Sequence, residues 1–368
     1  MIKGLGEFTS SLYQKFEKRT NVFFSGYSIS SAMSLAYLGA MGETKRQMAE
    51  GMGYTLEAPE VVNALLDIGT ALNTKDGKIQ TAVGNALWIQ HDLEIAQEFL
   101  KAAQNVSDLI RKVDYVNASE AARQEVNKWV SEKTRKMITE VIPKGLFSSE
   151  TRLVITNAIY FNGKWASEFD PEVTKDADFY NLNGTKSTIK LMYKNEYDCK
   201  YYEDWAYQAV ALPYGDKQGR NAEMLVVLPK EDHFDSVDNL ITYSILKKIA
   251  TKAEAKKVKL WLPKFKLKYK KDIAGLLEQD MPLAFSDVAD FSGITGGRDL
   301  TVSNVIHEAV VDVTEEGTEA AAATAVIMRL CCSVPLTNPE VRVDRPFMFA
   351  IWDSKNQVPV FMGRVVGL

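Results

Sequence analysis

The residue types that most often carry out catalysis are scarce in this sequence of 368 residues. It contains three histidines (His91, His233 and His307) and three cysteines. It has no G-x-S-x-G nucleophile elbow, no H-E-x-x-H metal motif and no phosphate-binding glycine motif. The glycine cluster FSGITGGRD lacks the strand–turn–helix setting that a nucleotide site needs. The sequence therefore argues against an enzyme, and it predicts neither a metal site nor a cofactor.

One long segment, at 314–344, does not fit an ordinary fold. It follows the strand pattern VIHEAVVDV at 305–313, and it is too long for a normal connection in a compact domain, which indicates a functional or disordered loop. Its first half is charged and then almost pure alanine. In an extended chain, alternate residues from Thr318 to Met328 share a face without a charge, and Glu319 lies on the opposite face. The alternative is a surface helix, because alanine is the best helix former and is weak in strands.

The rest of the chain predicts a single α+β domain that would position this segment. Helical spacing dominates the first third, strand patterns dominate after residue 152, and no linker or repeat separates them. The alternation of the strand pattern slips at Pro263, which predicts a bend or bulge there. We expect a large sheet covered by helices. The predicted elements are helices at 5–16, 28–39, 43–51, 58–73, 96–104 and 119–137, and strands at 81–89, 153–161, 208–214, 224–229, 258–262, 265–269, 305–313, 345–353 and 358–366.

Several stretches, in the correct order along the chain, carry a resemblance to a known family. They are NVFFSGYSISSAMSLAYLGAMGETKRQM, TNAIYFNGKWASEF, FSGITGGRDLTVSNVIHEAVVDV, the hinge EEGTEAAAATA and the C-terminal VRVDRPFMFAI. The chain resembles the inhibitory serpins, and among them the intracellular ovalbumin-like branch. The resemblance implies one serpin domain over 1–368, with an exposed hinge and reactive-centre loop at 315–340. It also implies a large central sheet, two smaller sheets and about eight to nine helices.

For such a protein the resemblance implies suicide-substrate inhibition of a serine-type endopeptidase. The protease cleaves the loop, stays attached as an acyl-enzyme and is trapped when the loop inserts as a new strand into the central sheet. Insertion needs small side chains, because one face of the strand enters a packed core. The alternative is a non-inhibitory serpin (a carrier, chaperone or storage protein), although such relatives have bulky residues, charges or proline in the hinge. The hinge residues are Glu315, Glu316, Gly317, Thr318, Glu319, Ala320, Ala321, Ala322, Ala323 and Thr324.

The position of the cleaved bond follows from the family register. Counting fourteen residues from Gly317 gives Cys331, with Cys332 on the leaving side. Two other bonds stay open, because Arg329 would suit a trypsin-like pocket and Leu330 a chymotrypsin- or cathepsin-like one. The expected partner is thus a serine protease or a cysteine protease. We also expect a monomer with a tendency to polymerise, because a loop that inserts into its own sheet can insert into that of another molecule.

Other residues match family positions that support the sheet where it opens. Trp165 matches the breach tryptophan at the end of the sheet, and Lys264 matches the partner of Glu315 in an ion pair at the base of the loop. Gly26 departs from the family, which usually has proline there, and we expect it to loosen that turn. The polar shutter cluster of the family corresponds to Ser25, Ser28, Asn157 and His307.

Composition bears on partners and compartment. A net charge of −4 and 46% hydrophobic residues give no argument for binding to nucleic acid or a membrane. The lysines of 252–271 form either a polyanion-binding strip or the solvated face of a sheet, which is the commoner case. The cysteine pattern and an N-terminus without a secretion-signal segment favour the cytoplasm. A signal removed earlier, or unconventional secretion, would place the protein outside the cell.

Overall fold

The computed structural model describes residues 1–74, 76–215, 222–318 and 338–368. Ten α-helices lie in these ranges, slightly more than the eight to nine that the resemblance implies, and two of them, at 274–277 and 292–295, have only four residues. The helices are α1 (Ile2–Lys15), α2 (Gly26–Tyr37), α3 (Gly42–Met52), α4 (Ala58–Leu72), α5 (Gln97–Ala102), α6 (Tyr115–Lys133), α7 (Phe234–Leu240), α8 (Tyr243–Lys252), α9 (Ala274–Leu277) and α10 (Ser292–Thr295).

The bounds of α6 differ from the predicted range of 119–137 for local reasons. The side chain of Asp114 accepts hydrogen bonds from the backbone N–H groups of Val116 and Asn117 and caps a short first turn. A kink at Ala118 (φ −139°, ψ 44°) separates this turn from the rest of α6, so the main part of the helix begins after Ala118, as predicted. At the other end, Arg135 and Lys136 have positive φ angles of 54° and 65°, which the helix cannot continue through.

The strands form two sheets. The sheet into which the loop is predicted to insert has seven strands, in the order β11-β12-β13-β5-β3-β4, with β2 paired to β5. Its strands are β2 (Ile79–Val83), β3 (Ala86–Gln90), β4 (Ile110–Val113), β5 (Leu153–Lys164), β11 (Phe265–Asp272), β12 (Asn304–Val313) and β13 (Gly317–Thr318). The predicted strand at 81–89 is therefore two strands, interrupted at Gly84 and Asn85. The predicted strands at 153–161 and 305–313 are β5 and β12.

The other sheet has nine strands in the order β1-β16-β15-β9-β8-β7-β10-β14, with β6 paired to β7. Its strands are β1 (Val22–Phe24), β6 (Lys175–Tyr180), β7 (Lys186–Glu203), β8 (Tyr207–Pro213), β9 (Ala222–Pro229), β10 (Glu254–Pro263), β14 (Glu340–Arg342), β15 (Phe347–Asp353) and β16 (Val358–Val365). The predicted pairs of neighbouring strands at 208–229 and 345–366 are the antiparallel pairs β8–β9 and β15–β16.

Strand β7 explains why the two smaller sheets expected from the resemblance are continuous with each other. It has 18 residues. Its first part pairs with β6, its middle with β10 and its last four residues, Lys200–Glu203, with β8. A single long strand therefore joins two groups of strands into one sheet.

The slip of the strand pattern at Pro263 marks a crossing between the two sheets. Strand β10 ends at Pro263 in the nine-stranded sheet, and β11 begins at Phe265 in the seven-stranded sheet. The buried face changes because the chain leaves one sheet for the other within two residues, so of the predicted bend or bulge the structure has a bend.

Helix α6 lies across the seven-stranded sheet at its centre. A separate core cluster joins Trp129 of α6 to Val154 and Ala158 of β5 and to Ile306 and Val310 of β12. Strands β5 and β12 are neighbours that run parallel. The helix thus covers the line along which these two strands meet.

Candidate site where the seven-stranded sheet opens

Strands β5 and β12 pair directly only along part of their length. Their register runs to Tyr160 and Val310, and beyond this point β13 lies between them. In β13, Gly317 is paired with β5, and Thr318 is paired with Val313 of β12 and with Gly163 of β5. The chain therefore leaves β12, turns back and enters the sheet between β5 and β12.

Gly317 makes this entry sterically possible. Its φ angle is +149°, which L side chains rarely adopt. A Cβ atom at this position would lie 2.2 Å from the carbonyl oxygen of Gly163 on β5. The hinge glycine is thus required by the close approach of two backbones.

Thr318 is the first hinge residue with its side chain inside the sheet. It is 0% exposed, and its hydroxyl lies 2.8 Å from that of Tyr214, which follows β8. The ring of Tyr214 stacks on Trp165 with 4.5 Å between centroids and 9° between planes. Burial raises the pKa of Tyr214 well above its usual value, so the phenol stays neutral.

Trp165, the predicted breach tryptophan, holds the turn before β13. Its Nε1 donates to the carbonyl oxygen of Thr314 at 3.0 Å. Its backbone N–H donates to the carbonyl of Glu316, and that of Phe169 donates to the carbonyl of Glu315, both at 2.9 Å. Three consecutive carbonyl groups of the hinge turn are therefore satisfied by the chain that follows β5.

Glu315 and Lys264 form the predicted ion pair, with 2.7 Å between Lys264 Nζ and Glu315 Oε2. Thr174 donates its hydroxyl to the other carboxylate oxygen at 2.9 Å. Burial alone would raise the pKa of Glu315, but hydrogen bonds from Lys264, from its own backbone and from Thr174 outweigh burial and hold the pKa below its usual value. The Glu315 side chain is 10% exposed and that of Lys264 is 36% exposed, so solvent screens this pair less than a surface pair.

Of the predicted shutter residues, two lie further along strands β5 and β12, and another, Ser25, is the N-cap of α2. Its Oγ accepts from the backbone N–H of Ser28 at 3.0 Å and donates to the carbonyl of Val360 at 2.8 Å. A Cβ at Gly26 would lie 2.1 Å from Oγ1 of Thr9. Glycine at position 26, where the family usually has proline, therefore allows α2 to pack closely against Thr9 on α1.

Ser28, Asn157 and His307 meet in one buried hydrogen-bond network with a further residue, Asn85. Asn157 Nδ2 donates to Ser28 Oγ at 2.7 Å and to Asn85 Oδ1 at 2.8 Å. Ser28 Oγ donates to Asn85 Oδ1 at 3.0 Å. Asn157 Oδ1 faces Nδ1 of His307, and this network assigns the ring proton to Nδ1. All four side chains are essentially buried, so the network joins α2 to both strands that meet at the opening.

His307 is kept neutral by this site. Burial lowers the pKa of its imidazole to about 3, and its buried Nε2 has no hydrogen-bond partner within the described structure. A proton on Nε2 would be both desolvated and unpaired. The network is therefore sensitive to acid.

Sequence reasoning missed three residues of the site: Asn85, Tyr214 and Thr174. Asn85 had a usable signal, because it is a polar residue in an apolar strand pattern. Tyr214 and Thr174 had none, because their partners Thr318 and Glu315 are far away in the sequence. Only the fold brings these residues to the hinge.

Much of the predicted loop lies outside the described residues. This applies to hinge residues Glu319, Ala320, Ala321, Ala322, Ala323 and Thr324, and to the bond candidates Arg329, Leu330, Cys331 and Cys332. Cys199, which the structure does describe, is buried, and burial raises the pKa of its thiol to about 12. It is thus an inert core residue at neutral pH.

The lysines of 252–271 are largely paired with acceptors. On β11, Lys266 contacts Asp312 at 2.8 Å and Lys268 contacts Glu308 at 3.0 Å, while Lys270 donates to the carbonyl of Glu140 at 2.6 Å. On β10, Lys257 contacts Glu196 and Lys259 contacts Glu340. Because β11 is an edge strand, its lysines also discourage pairing with another chain. This arrangement favours the solvated-face interpretation over a polyanion strip.

Two further properties can be stated for the described ranges. None of their helices combines the length and the apolar character that crossing a bilayer requires. Their His, Cys, Asp and Glu side chains contain no group of three or more that could hold a metal ion.

The comparison with protein families gives a match along nearly the whole chain. The model of the family described as "Serpin (serine protease inhibitor)" matches residues 3–368. An uncharacterized serpin-like protein of Methanosarcina acetivorans is 37% identical over 97% of this chain and 84% of that protein. The leukocyte elastase inhibitor of Bos taurus is 35% identical over 94% of this chain and 92% of the length of that inhibitor.

Solved structures agree with the fold. Serpin48 of the insect Tenebrio molitor has a TM-score of 0.87 at 28% identity and covers 100% of this chain and 97% of its own. Uncleaved ovalbumin has a TM-score of 0.88 at 23% identity and covers 99% of both chains, a likeness of fold alone. The predicted α+β architecture is confirmed.

Proposed function

The chain belongs to the serpin family, and from that premise we propose that it is a suicide-substrate inhibitor of a serine-type endopeptidase. The observation that supports this function best is the position of Thr318. It is buried between β5 and β12, so the hinge starts at the place where an inserted strand would have to begin.

The residues after Thr318 suit continued insertion. In a strand, Ala320, Ala322 and Thr324 share the face of Thr318, and all are small and uncharged. Glu319 faces the other side. Small residues can enter a packed core without displacing it, and this separation of faces is what an insertable strand needs.

The energy and the distance are sufficient for trapping. About a dozen new strand hydrogen bonds at about 1 kcal/mol net each supply on the order of 10 kcal/mol before any side-chain burial. An insertion of about 15 residues at about 3.4 Å each moves an attached protease by about 50 Å. Much smaller displacements disturb the geometry of an active site, so the inhibitor needs no catalytic residue of its own.

For the cleaved bond we propose Cys331–Cys332, with Arg329–Leu330 and Leu330–Cys331 as the alternatives. A cut two residues earlier shortens the inserted strand by about 7 Å. The target is a serine protease or a cysteine protease. Mass spectrometry of the C-terminal peptide that a trapped protease releases distinguishes the three bonds.

The test of inhibition is a panel of proteases mixed with the full chain. We expect a covalent complex that survives SDS with at least one protease, and a higher melting temperature of the chain after its loop is nicked. The matched variants are Ala322→Arg, on the face of Thr318, and Ala321→Arg, on the opposite face. The first should turn the inhibitor into a substrate, and the second should retain the complex.

Two results would contradict the proposal. One is cleavage without a complex by every protease in the panel, together with an unchanged melting temperature after nicking. That outcome supports the non-inhibitory alternative, a carrier, chaperone or storage protein. The other is an equal loss of complex in both arginine variants, because inhibition would then not depend on which face enters the sheet.

A further inference from the structure

The turn between β6 and β7 carries a chemical feature that inhibition does not use. The sequence has two Asn-Gly pairs, Asn162-Gly163 and Asn183-Gly184. In such a pair the peptide nitrogen of the glycine can attack the asparagine side-chain amide, because glycine has no Cβ to hinder the approach. The two pairs have very different surroundings in the fold.

Asn162-Gly163 is fixed inside a strand. Both residues belong to β5. Gly163 is paired with Ile79 of β2 on one side and with Thr318 of β13 on the other, and the space at its Cα is filled by Phe161 and Tyr214. Attack would require the backbone to rotate out of three paired strands, so this pair is protected.

Asn183-Gly184 lies in an exposed turn. Asn183 is exposed, Gly184 has a φ angle of +84°, and nothing lies within 4 Å of a Cβ built on it. The backbone N–H of Gly184 donates to the carbonyl of Asn181 at 3.0 Å. Attack requires this one bond to open, and an exposed turn bond opens readily.

Thr185 aims two donors at the amide oxygen of Asn183. Its backbone N–H donates at 3.0 Å and its hydroxyl at 2.7 Å. Negative charge develops on this oxygen when the nitrogen of Gly184 adds to the amide carbon. Donors already directed at such an oxygen stabilise the addition intermediate, as an oxyanion hole does.

We propose that Asn183 is a site of spontaneous deamidation, promoted by Thr185. The nitrogen of Gly184 loses its proton and forms a bond to Cγ of Asn183, the Cγ–Nδ2 bond breaks, and ammonia leaves. Water then opens the resulting succinimide, which gives aspartate or isoaspartate. No oxidant, reductant or enzyme is needed.

The product would alter the contact of this turn with the last residues of the chain. Leu182 donates its backbone N–H to the carbonyl of Val366 at 2.8 Å, and Leu368 donates its own to Asn181 Oδ1 at 3.2 Å. An isoaspartate at position 183 adds a backbone atom and a negative charge directly after these two anchoring residues. The reaction therefore marks aged molecules at a defined place, away from the hinge.

The experiment incubates the full folded chain at mildly alkaline pH and follows peptides by mass spectrometry after digestion in acid, where the reaction stops. We expect conversion of Asn183 with none at Asn162, and a rate that rises with pH. Thr185→Val, which removes one of the two donors, should slow conversion by roughly tenfold, the rate equivalent of one hydrogen bond. Thr185→Ser, which keeps the hydroxyl, should restore the rate.

The serine variant also controls for structure, because the hydroxyl of Thr185 accepts from Asn181 Nδ2 at 3.0 Å. Equal conversion at Asn162 and Asn183 would overturn the proposal. So would conversion of Asn183 that is slower in the folded chain than in a free peptide of residues 179–187. An unchanged rate in Thr185→Val would remove the role of Thr185.

Discussion

The hydroxyl groups of Tyr214 and Thr318 lie 2.8 Å apart, and both residues are 0% exposed. This contact joins the chain after β8, in the nine-stranded sheet, to Thr318, the first hinge residue whose side chain lies inside the seven-stranded sheet. Because Tyr214 also stacks on Trp165, its hydroxyl is held in place before any protease arrives. The hinge is thus docked at its first inward-facing position.

Tyr214→Phe tests this contact. It leaves the buried hydroxyl of Thr318 without its partner, and we expect a loss of about 1–2 kcal/mol in the free energy of unfolding. We also expect more cleaved, uncomplexed chain per trapped protease, because the hinge starts from a less defined position. Urea denaturation and the stoichiometry of inhibition measure the two effects.

The control for this variant is Tyr193→Phe. The hydroxyl of Tyr193 donates to Asn195 at an exposed position, so its removal should change stability very little. Equal losses in the two variants would mean that burial of the Tyr214–Thr318 bond contributes nothing.

The sequence was sufficient for the strands with clear periodicity, whereas the roles that the family resemblance assigns to the site residues stay predictions. The buried run at 153–161 predicts β5, and the motif around His307 predicts that this residue lies beside Asn157, where the structure has it. Strand β13 could not be predicted, because two residues have no periodicity. Strand β7 escaped because its burial alternates irregularly along 18 residues, as one strand serves three partners.

Acid should destabilise the protein through His307. Its pKa is about 3 in the folded state and about 6.5 in an unfolded chain, so the unfolded state binds the proton more tightly. The contribution of neutral His307 to the free energy of unfolding is fully present above pH 6.5. It decreases as the pH falls towards 3, by up to about 1.4 kcal/mol per pH unit. Urea denaturation at a series of pH values measures this slope.

His307→Asn should reduce the change of unfolding free energy with pH, although it lowers stability at neutral pH. His91→Asn, at an exposed position, should keep the slope of the unmodified chain. If the His307 variant retained the full slope between pH 6.5 and 4.5, another group would be responsible for acid sensitivity.

Glu315 should make stability depend on pH in a lower range than His307 does. Its pKa is lowered in the folded state, so its carboxylate stabilises the fold above the unfolded pKa of about 4.3 and loses that effect as the pH falls. The difference in unfolding free energy between the unmodified chain and Glu315→Gln should therefore be greatest near neutral pH and shrink below pH 4.3.

Glu340→Gln provides the comparison, because its pair with Lys259 is more exposed and surface pairs contribute little. We expect its stability to match that of the unmodified chain throughout. A difference for Glu315→Gln that stayed constant down to pH 3 would show that the side chain acts by packing and not by charge.

Gly317→Ala tests the steric requirement of the hinge entry. The added Cβ would lie 2.2 Å from the carbonyl oxygen of Gly163, at a φ angle of +149°. Backbone strain of this kind costs about 1–3 kcal/mol, and the chain can avoid it by withdrawing β13 from the sheet. We therefore expect loss of the Tyr214–Thr318 contact, faster hydrogen exchange at 314–318 and slower formation of the protease complex.

The matched variant is Gly275→Ala in α9, where an added Cβ meets nothing within 4 Å. It should leave stability unchanged or raise it slightly, since alanine reduces the freedom of the unfolded chain. Hydrogen exchange by mass spectrometry and stopped-flow kinetics compare the two variants directly. If Gly317→Ala formed complexes as fast as Gly275→Ala, docking of β13 would not be the first step of insertion, and the entry point would have to lie further along the loop.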